Sequence, residues 1–219
     1  MTTLTKFEHS TLLLDSNGQC LAIDPGVLTS DASMEAMGRV DAVLVSHIHG
    51  DHFSQEHLLK LGAPVYTVRQ VAEAITDKSL GVHVHAAGDS VKIFGCTVEY
   101  VTTDHGPFAI QPLENVGFLI TTPDTSFYFF GDMAAPSPVP SGSYEVAIVP
   151  VGNKNYTFNP EEAAAYLGRL GWKGLTIPVH YDAPSMDPEA GQKLADLAKG
   201  QFEVLVLEIG QSTSFGGDA

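Results

Sequence analysis

The sequence predicts an α/β (α+β) chain in which β-sheets stack on one another and helices cover the outside. Three observations lead there. Short apolar or alternating runs bounded by Gly, Pro, Asp or Asn dominate the first half. Two well-capped helical segments stand in the second half, each followed by another apolar run. A chain of 219 residues, 44% hydrophobic and 17% charged, can bury one sizeable core and is short for two, so a single domain over 1–219 is expected.

The strand runs fall at 11–14, 20–23, 42–46, 65–68, 82–85, 91–94 and 97–102, then at 116–121, 126–130, 145–150, 175–179 and 203–209. Asn159 caps the clearest helix, with Pro160 in its first position, Glu161 and Glu162 in its first turn, and a stop near Gly171. Asp187-Pro188-Glu189 repeats the device for a helix running to Gly200, and shorter helices are expected at 55–61 and 69–76. The Pro/Ser-rich stretch 134–143 reads as an exposed loop.

Eleven Lys and Arg against 26 Asp and Glu give a net charge of −15, which repels nucleic acid and anionic membrane. No apolar run reaches membrane-spanning length and the start lacks a signal-peptide core, so a cytoplasmic protein is expected. Cys20 and Cys96 each lie in a strand-like run, where a small buried hydrophobe is the expected state; they suggest no disulfide framework.

The strongest signal is His47-Ile48-His49-Gly50-Asp51-His52, directly after a strand run. Chance would produce H-x-H-x-D-H on the order of once per thousand such chains. Two residues apart at a strand end, His47 and His49 point the same way and can reach one metal, while Gly50 lets the chain turn and present Asp51 and His52. Imidazole and carboxylate ligands suit Zn, Mn, Fe or Ni. His105, Asp132 and His180 each follow a further strand run. Together the seven supply five His and two Asp, enough for two metal ions sharing one carboxylate.

This series, from Asp24 to His180, resembles that of the metallo-β-lactamase fold superfamily. The resemblance implies a four-layer αββα sandwich of two mixed β-sheets, with helices on the outer faces and the metal site at the sheet edge. It puts His47, His49 and His105 on a first metal and Asp51, His52 and His180 on a second, with Asp132 bridging. Zinc is the first choice for the two divalent ions. Asp24, in Ile23-Asp24-Pro25-Gly26, matches the early strand-end aspartate that braces the metal loop; a plain strand-to-turn Asp is the alternative. Glu8-His9-Ser10, Val149-Pro150-Val151-Gly152 and Ile177-Pro178-Val179-His180-Tyr181 resemble the simple metal-dependent hydrolases that include ascorbate-6-phosphate lactonase. That branch places His9 near the metal cleft, although an internal strand hydrogen bond explains it nearly as well.

The function expected is hydrolysis of a small ester, lactone or phosphodiester. A metal lowers the pKa of water to about 7; Asp51 and Asp132 are the catalytic carboxylates, with Asp51 orienting the nucleophile. Tyr181 or Asn153 could help stabilise the transition state, and Tyr181 reads equally well as a packed neighbour. Two divalent cations outweigh Asp51, Asp132 and a hydroxide by about one unit of charge, so an anionic small-molecule substrate could be held. Loops 106–114, 134–143 and 183–187 would set specificity, with Phe108, Pro112, Pro136 and Pro138 as an apolar rim. His57 reads as a solvated or supporting residue, and His83 and His85 as strand-face residues. Two other classes stay open: an iron-dependent redox enzyme on the same fold, of the persulfide dioxygenase or flavodiiron kind, and a metal-binding protein without catalysis.

Overall fold

The chain forms the same pattern twice, an antiparallel run of strands continued by parallel strands with helical crossovers. In the first sheet β1 (Thr2–Lys6), β2 (Leu12–Ser16) and β3 (Gln19–Ile23) are antiparallel, and β4 (Ala42–Val45), β5 (Val65–Thr67) and β6 (Val82–Val84) extend it in parallel. The crossovers carry α1 (Asp31–Ala36), α2 (Gln55–Leu61) and α3 (Arg69–Ala74). In the second sheet β7 (Ser90–Ile93), β8 (Cys96–Thr102), β9 (Val116–Thr121) and β10 (Ser126–Phe129) are antiparallel; β11 (Val146–Pro150), β12 (Leu175–Val179) and β13 (Glu203–Val204) follow in parallel. Helices α4 (Pro160–Arg169) and α5 (Ala190–Ala198) make its last two crossovers. β14 (Ser212–Phe215) returns to pair with β1, giving two seven-stranded mixed sheets. This computed structural model describes every residue except 108, 110, 111, 138, 141, 142, 153, 154, 184, 185 and 217–219; the expected roles of Phe108, Pro138 and Asn153 fall outside the described residues.

Side-chain alternation makes the layers. Phe127, Phe129, Val146 and Ile148 pack inward with Leu4, Leu14, Ile23 and Leu44 of the first sheet. Their sequence neighbours Tyr128, Phe130, Ala147 and Val149 face the other way, onto Ala163, Leu167 and Leu194 of α4 and α5. On the first sheet's side Met34, Leu58 and Val71 bring α1, α2 and α3 onto the core. The result is the four-layer αββα sandwich expected from the sequence.

Three expectations need correction. The structure adds β1, β14 and α1 to the expected elements; β1 turns Thr2 and Lys6 inward beside Leu4, which masks its own apolar pattern. The run 203–209 pairs over only two residues. The second capped helix starts at Ala190; Asp187 accepts from the Glu189 N–H (3.1 Å) and closes a turn before the helix.

Helices and strands hand the chain to loops at one edge: β3 ends before Asp24, β4 before His47, β8 before His105, β10 before Asp132 and β12 before His180. Gly26 lets two of these loops touch. A Cβ there would lie 2.0 Å from the Asp51 carbonyl oxygen and 2.5 Å from the His52 nitrogen, whereas one on Gly50 would meet nothing closer than Val27 Cγ2 at 3.9 Å. Gly26→Ala is therefore expected to cost about 3 kcal/mol of stability, and Gly50→Ala less than about 1 kcal/mol, as read by denaturant titration. Equal stability of the two variants would contradict this packing.

Candidate metal centre

Asp24 starts the site. It is fully buried and left-handed (φ 47°), and its Oδ1 accepts the Ser46 N–H at 2.7 Å. Oδ2 accepts the Ser46 hydroxyl at 2.6 Å and lies 2.8 Å from His52 Nδ1. These bonds assign protons. The Ser46 hydroxyl gives its only hydrogen to Asp24, so it accepts from His47 Nδ1 at 2.9 Å. His47 and His52 thus both carry N–H on Nδ1 and turn Nε2 toward the centre. Carboxylate-to-imidazole pairing of this kind fixes a metal ligand's ring and tautomer.

Two groups of donor atoms gather there. His47, His49, His105 and Asp132 each offer one atom, all within 4.8 Å of one another. His49 Nδ1 lies 3.1 Å from both His47 Nε2 and His105 Nε2, three ring nitrogens meeting at one point. The second group is His9, Asp51, His52 and His180, with the same spread. Asp132 stands between the groups: its Oδ2 is 3.3 Å from His105 Nε2 and 3.2 Å from His180 Nε2, and its Oδ1 is 3.2 Å from His52 Nε2. All seven expected ligands are brought together, and His9 joins them.

Backbone geometry makes the approach possible. Gly131, before Asp132, has φ 59°, and a Cβ there would lie 2.5 Å from the Val116 carbonyl oxygen. Buried Asn115 donates to the Asp132 carbonyl (2.8 Å) and to Thr103 Oγ1 (2.9 Å), tying the Asp132 and His105 loops together. His180 is also left-handed, at φ 71°. Asp51, with 30% of its side chain exposed, and His49 mark the opening; the other donors are buried.

Charge is finely divided. Burial and the neighbouring His52 hold His47 well below the ordinary imidazole value. At His52 burial acts the same way but is outweighed by the Asp132 and Asp51 carboxylates, which raise it well above. Burial is likewise outweighed at Asp132, which the His180 and His52 rings hold well below the carboxylate range. His52 Nε2, His180 Nε2 and Asp132 Oδ1 are buried with no hydrogen-bond partner among the described residues. Ring nitrogens and carboxylate oxygens converging in this way, with His52 drawn toward its protonated form by two carboxylates, fit divalent cations of the Zn, Mn, Fe or Ni class.

Other expected residues lie elsewhere. Of the two readings left open for Tyr181, its contacts fit the packed neighbour: its buried hydroxyl donates to the Leu207 carbonyl at 2.9 Å. His57 is buried on α2 rather than solvated, outside both donor groups. His83 stacks on Tyr66 (ring centroids 4.5 Å apart), as does His85 at 6.1 Å, in line with a strand-face position. Cys96 is buried and Cys20 half-buried, both as free thiols. Pro112 and Pro136 are in exposed or half-buried loops, and the Pro112 carbonyl accepts from Gln70 of α3. Sequence reasoning missed Ser46 and Asn115, which act through partners distant in the chain.

A two-sheet sandwich with such a cluster at its edge defines a β-lactamase-type fold. Residues 3–180 match the family described as Beta-lactamase superfamily domain, and the chain belongs to that family. Among curated proteins it is 29% identical to a UPF0173 metal-dependent hydrolase of Bacillus thuringiensis subsp. konkukian (strain 97-27), over 93% of this chain and 96% of that protein. In fold it is similar to Igni18, a metallo hydrolase from Ignicoccus hospitalis KIN4/I (TM-score 0.78, 23% identity, 99% of each chain). It is similar also to an isothiocyanate hydrolase from Delia radicum gut bacteria (TM-score 0.80, 18% identity, 98% of this chain and 99% of that one).

Replacing Asp24 by Ala leaves the Ser46 N–H and hydroxyl and His52 Nδ1 without their acceptor. The expected outcome is a loss of 10- to 100-fold in metal affinity together with a lower melting temperature. Calorimetric Zn²⁺ titration checks it; unchanged affinity would remove Asp24 from its bracing role.

Proposed function

We propose that the chain is a metal-dependent hydrolase working with two divalent cations, zinc first, that cleaves a small ester, lactone or phosphodiester. In this reading His47, His49 and His105 hold one cation, Asp51, His52 and His180 the other, and Asp132 bridges. One observation carries it: His52 Nε2 and His180 Nε2, buried with no hydrogen-bond partner among the described residues, face Asp132 Oδ1 and Oδ2 at 3.2 Å each. Each acceptor left so costs on the order of 1–3 kcal/mol, which a shared cation removes. The hydrolase names of the relatives support the same class.

When bound, such cations lower the pKa of water to about 7 and stabilise developing negative charge. The chain supplies the rest. Asp51, the carboxylate at the opening, would orient the attacking water and take its proton. Asp132, buried and held anionic by the surrounding imidazoles, would help to hold both cations and screen their mutual repulsion. The resemblance to the branch containing ascorbate-6-phosphate lactonase puts phosphorylated sugar lactones in the substrate panel beside p-nitrophenyl esters and bis-p-nitrophenyl phosphate.

Metal analysis of the purified protein with this panel at about pH 8 is the test. Two equivalents of Zn or Mn with turnover are expected. One equivalent of Fe without hydrolysis would favour the redox reading, and a substoichiometric amount the non-catalytic one.

His49→Ala should lose the first metal and nearly all turnover while keeping its melting temperature, since the ligands sit on loops above the core. Asp132→Asn keeps the shape but not the charge, so partial occupancy and little activity are expected; two metals bound as tightly as in the parent would refute the bridge.

The pH dependence follows from His52. Its raised proton affinity in the metal-free chain means a cation must displace a proton, so metal affinity rises with pH and, as pH drops, begins to fall above the ordinary imidazole value of about 6.5. Activity measured with limiting metal should follow; a rate that increases toward acid would be incompatible with this site.

A further inference from the structure

His9 lies as deep as the ligands, with 1% of its surface exposed, yet it has no place in the ligand set above. Its Nε2 is 3.0 Å from Asp51 Oδ2, and its ring centroid is 3.7 Å from that of His180. Its backbone is left-handed (φ 60°), a conformation that costs a residue with a Cβ roughly 1–2 kcal/mol. Specific bonds hold it there. The His9 N–H donates to Asp182 Oδ1 at 2.6 Å, and the His9 carbonyl accepts the His180 N–H at 3.0 Å.

Asp182 is itself anchored. Its Oδ2 pairs with the Nζ of Lys6, which also donates to the Phe7 carbonyl at 2.9 Å and lies 5.0 Å above the Tyr181 ring. Lys6 is fully buried, and such a charge is tolerated only when paired and hydrogen-bonded. The ion pair joins the segment carrying His9 to the segment carrying His180, 176 residues apart from Lys6 to Asp182. It also accounts for Tyr181, whose ring faces this lysine.

We propose that His9 is a positioning residue for the second metal position: its Nε2–H donates to Asp51 Oδ2, the oxygen that stands 3.7 Å from both His52 Nε2 and His180 Nε2, so it fixes that carboxylate at the donor group, and it is itself fixed by the Lys6–Asp182 pair. Because the His9 Nε2 also lies within 4.8 Å of the donor atoms of Asp51, His52 and His180, a role as a fourth ligand is the competing assignment. Distance decides between them. His9 Nε2 is at hydrogen-bond distance from Asp51 Oδ2, 3.0 Å, whereas His52 Nε2 and His180 Nε2 stand beyond it, 3.7 Å from the same oxygen. A nitrogen that gives its proton to Asp51 does not bind a metal.

The proposal rests on the two-cation reading, and Zn²⁺ titration of the metal-free full-length protein separates the two. Parent protein that takes up fewer than two Zn²⁺ refutes that reading itself. Given two, His9→Ala is expected to keep its affinity for the first Zn²⁺ and lose 10- to 100-fold for the second. His9→Gln, which retains an N–H donor at the end of the side chain, should recover most of it. Equal affinities in parent and His9→Ala overturn the proposal. An equal loss in the Ala and Gln variants makes His9 a ligand and overturns it too. The double variant Lys6→Met/Asp182→Ala removes the anchor without leaving a lone buried charge; in a chain shown folded by its melting transition, it should weaken the second Zn²⁺ alone, and unchanged affinity there removes the ion pair from the proposal.

Discussion

Asp24 binds three groups with two oxygens, the Ser46 N–H, the Ser46 hydroxyl and His52 Nδ1, in a place with no solvent. A buried carboxylate is costly unless its acceptor positions are filled, and here they are. The consequence reaches both donor groups. Through the Ser46 hydroxyl it sets the tautomer of His47, which belongs to the first group, and directly it sets that of His52, in the second. One anion therefore aims an imidazole of each group. Gly26, two residues on, then gives the Asp51 backbone room to pass.

The remaining donors come from strands far apart in sequence that the sandwich brings to one edge. β4, β8, β10 and β12 deliver His47, His105, Asp132 and His180, and the turn after β1 delivers His9. Those strands share one interior: Leu44 of β4, Val98 and Tyr100 of β8, Phe127 and Phe129 of β10 and Val179 of β12 belong to a single packed core. Close packing makes their relative positions stiff, so ring nitrogens on separate sheets can be held at 3.1 Å. The donors themselves contribute little to that core. Stability and site are thus separable below the strand ends and coupled above them, where Asn115 and Asp24 tie loop to loop.

Which of these features the sequence discloses follows from how local they are. The run from His47 to His52 is legible because four donors stand within six residues, and β4 before it is apolar throughout. The parallel strands read as apolar runs for the same reason. β1 does not: its inward positions are Thr2, Leu4 and Lys6, and Thr2 is satisfied by Asp124, 122 residues away. α1 is six residues long, with Met34 as its one buried apolar residue, too little for a helical period to register. Lys6, Ser46, Asn115 and Asp182 are common residue types whose meaning lies entirely in distant partners. Tyr181 shows the converse, since adjacency to a ligand in sequence leaves a catalytic and a packing role equally open, while its ring turns to Lys6 and its hydroxyl to Leu207.

Electrostatics narrows what such a centre can serve. The chain carries −15, and Lys6, which lies near His9, is buried and paired with Asp182. That lysine therefore collects no anions for the site. Any attraction must come from the proposed cations, two of them against the charges of Asp51 and Asp132, acting through the gap beside His49. At 0.1 M ionic strength exposed charges are screened within about 10 Å, so the surrounding negative surface acts mainly on what extends beyond the opening. A long polyanion would meet that surface along its length, whereas a small ester, lactone or phosphodiester would leave it behind on entering. The same sequence charge that argues against nucleic acid as a partner is thus compatible with a compact anionic substrate, because the two differ in reach rather than in sign.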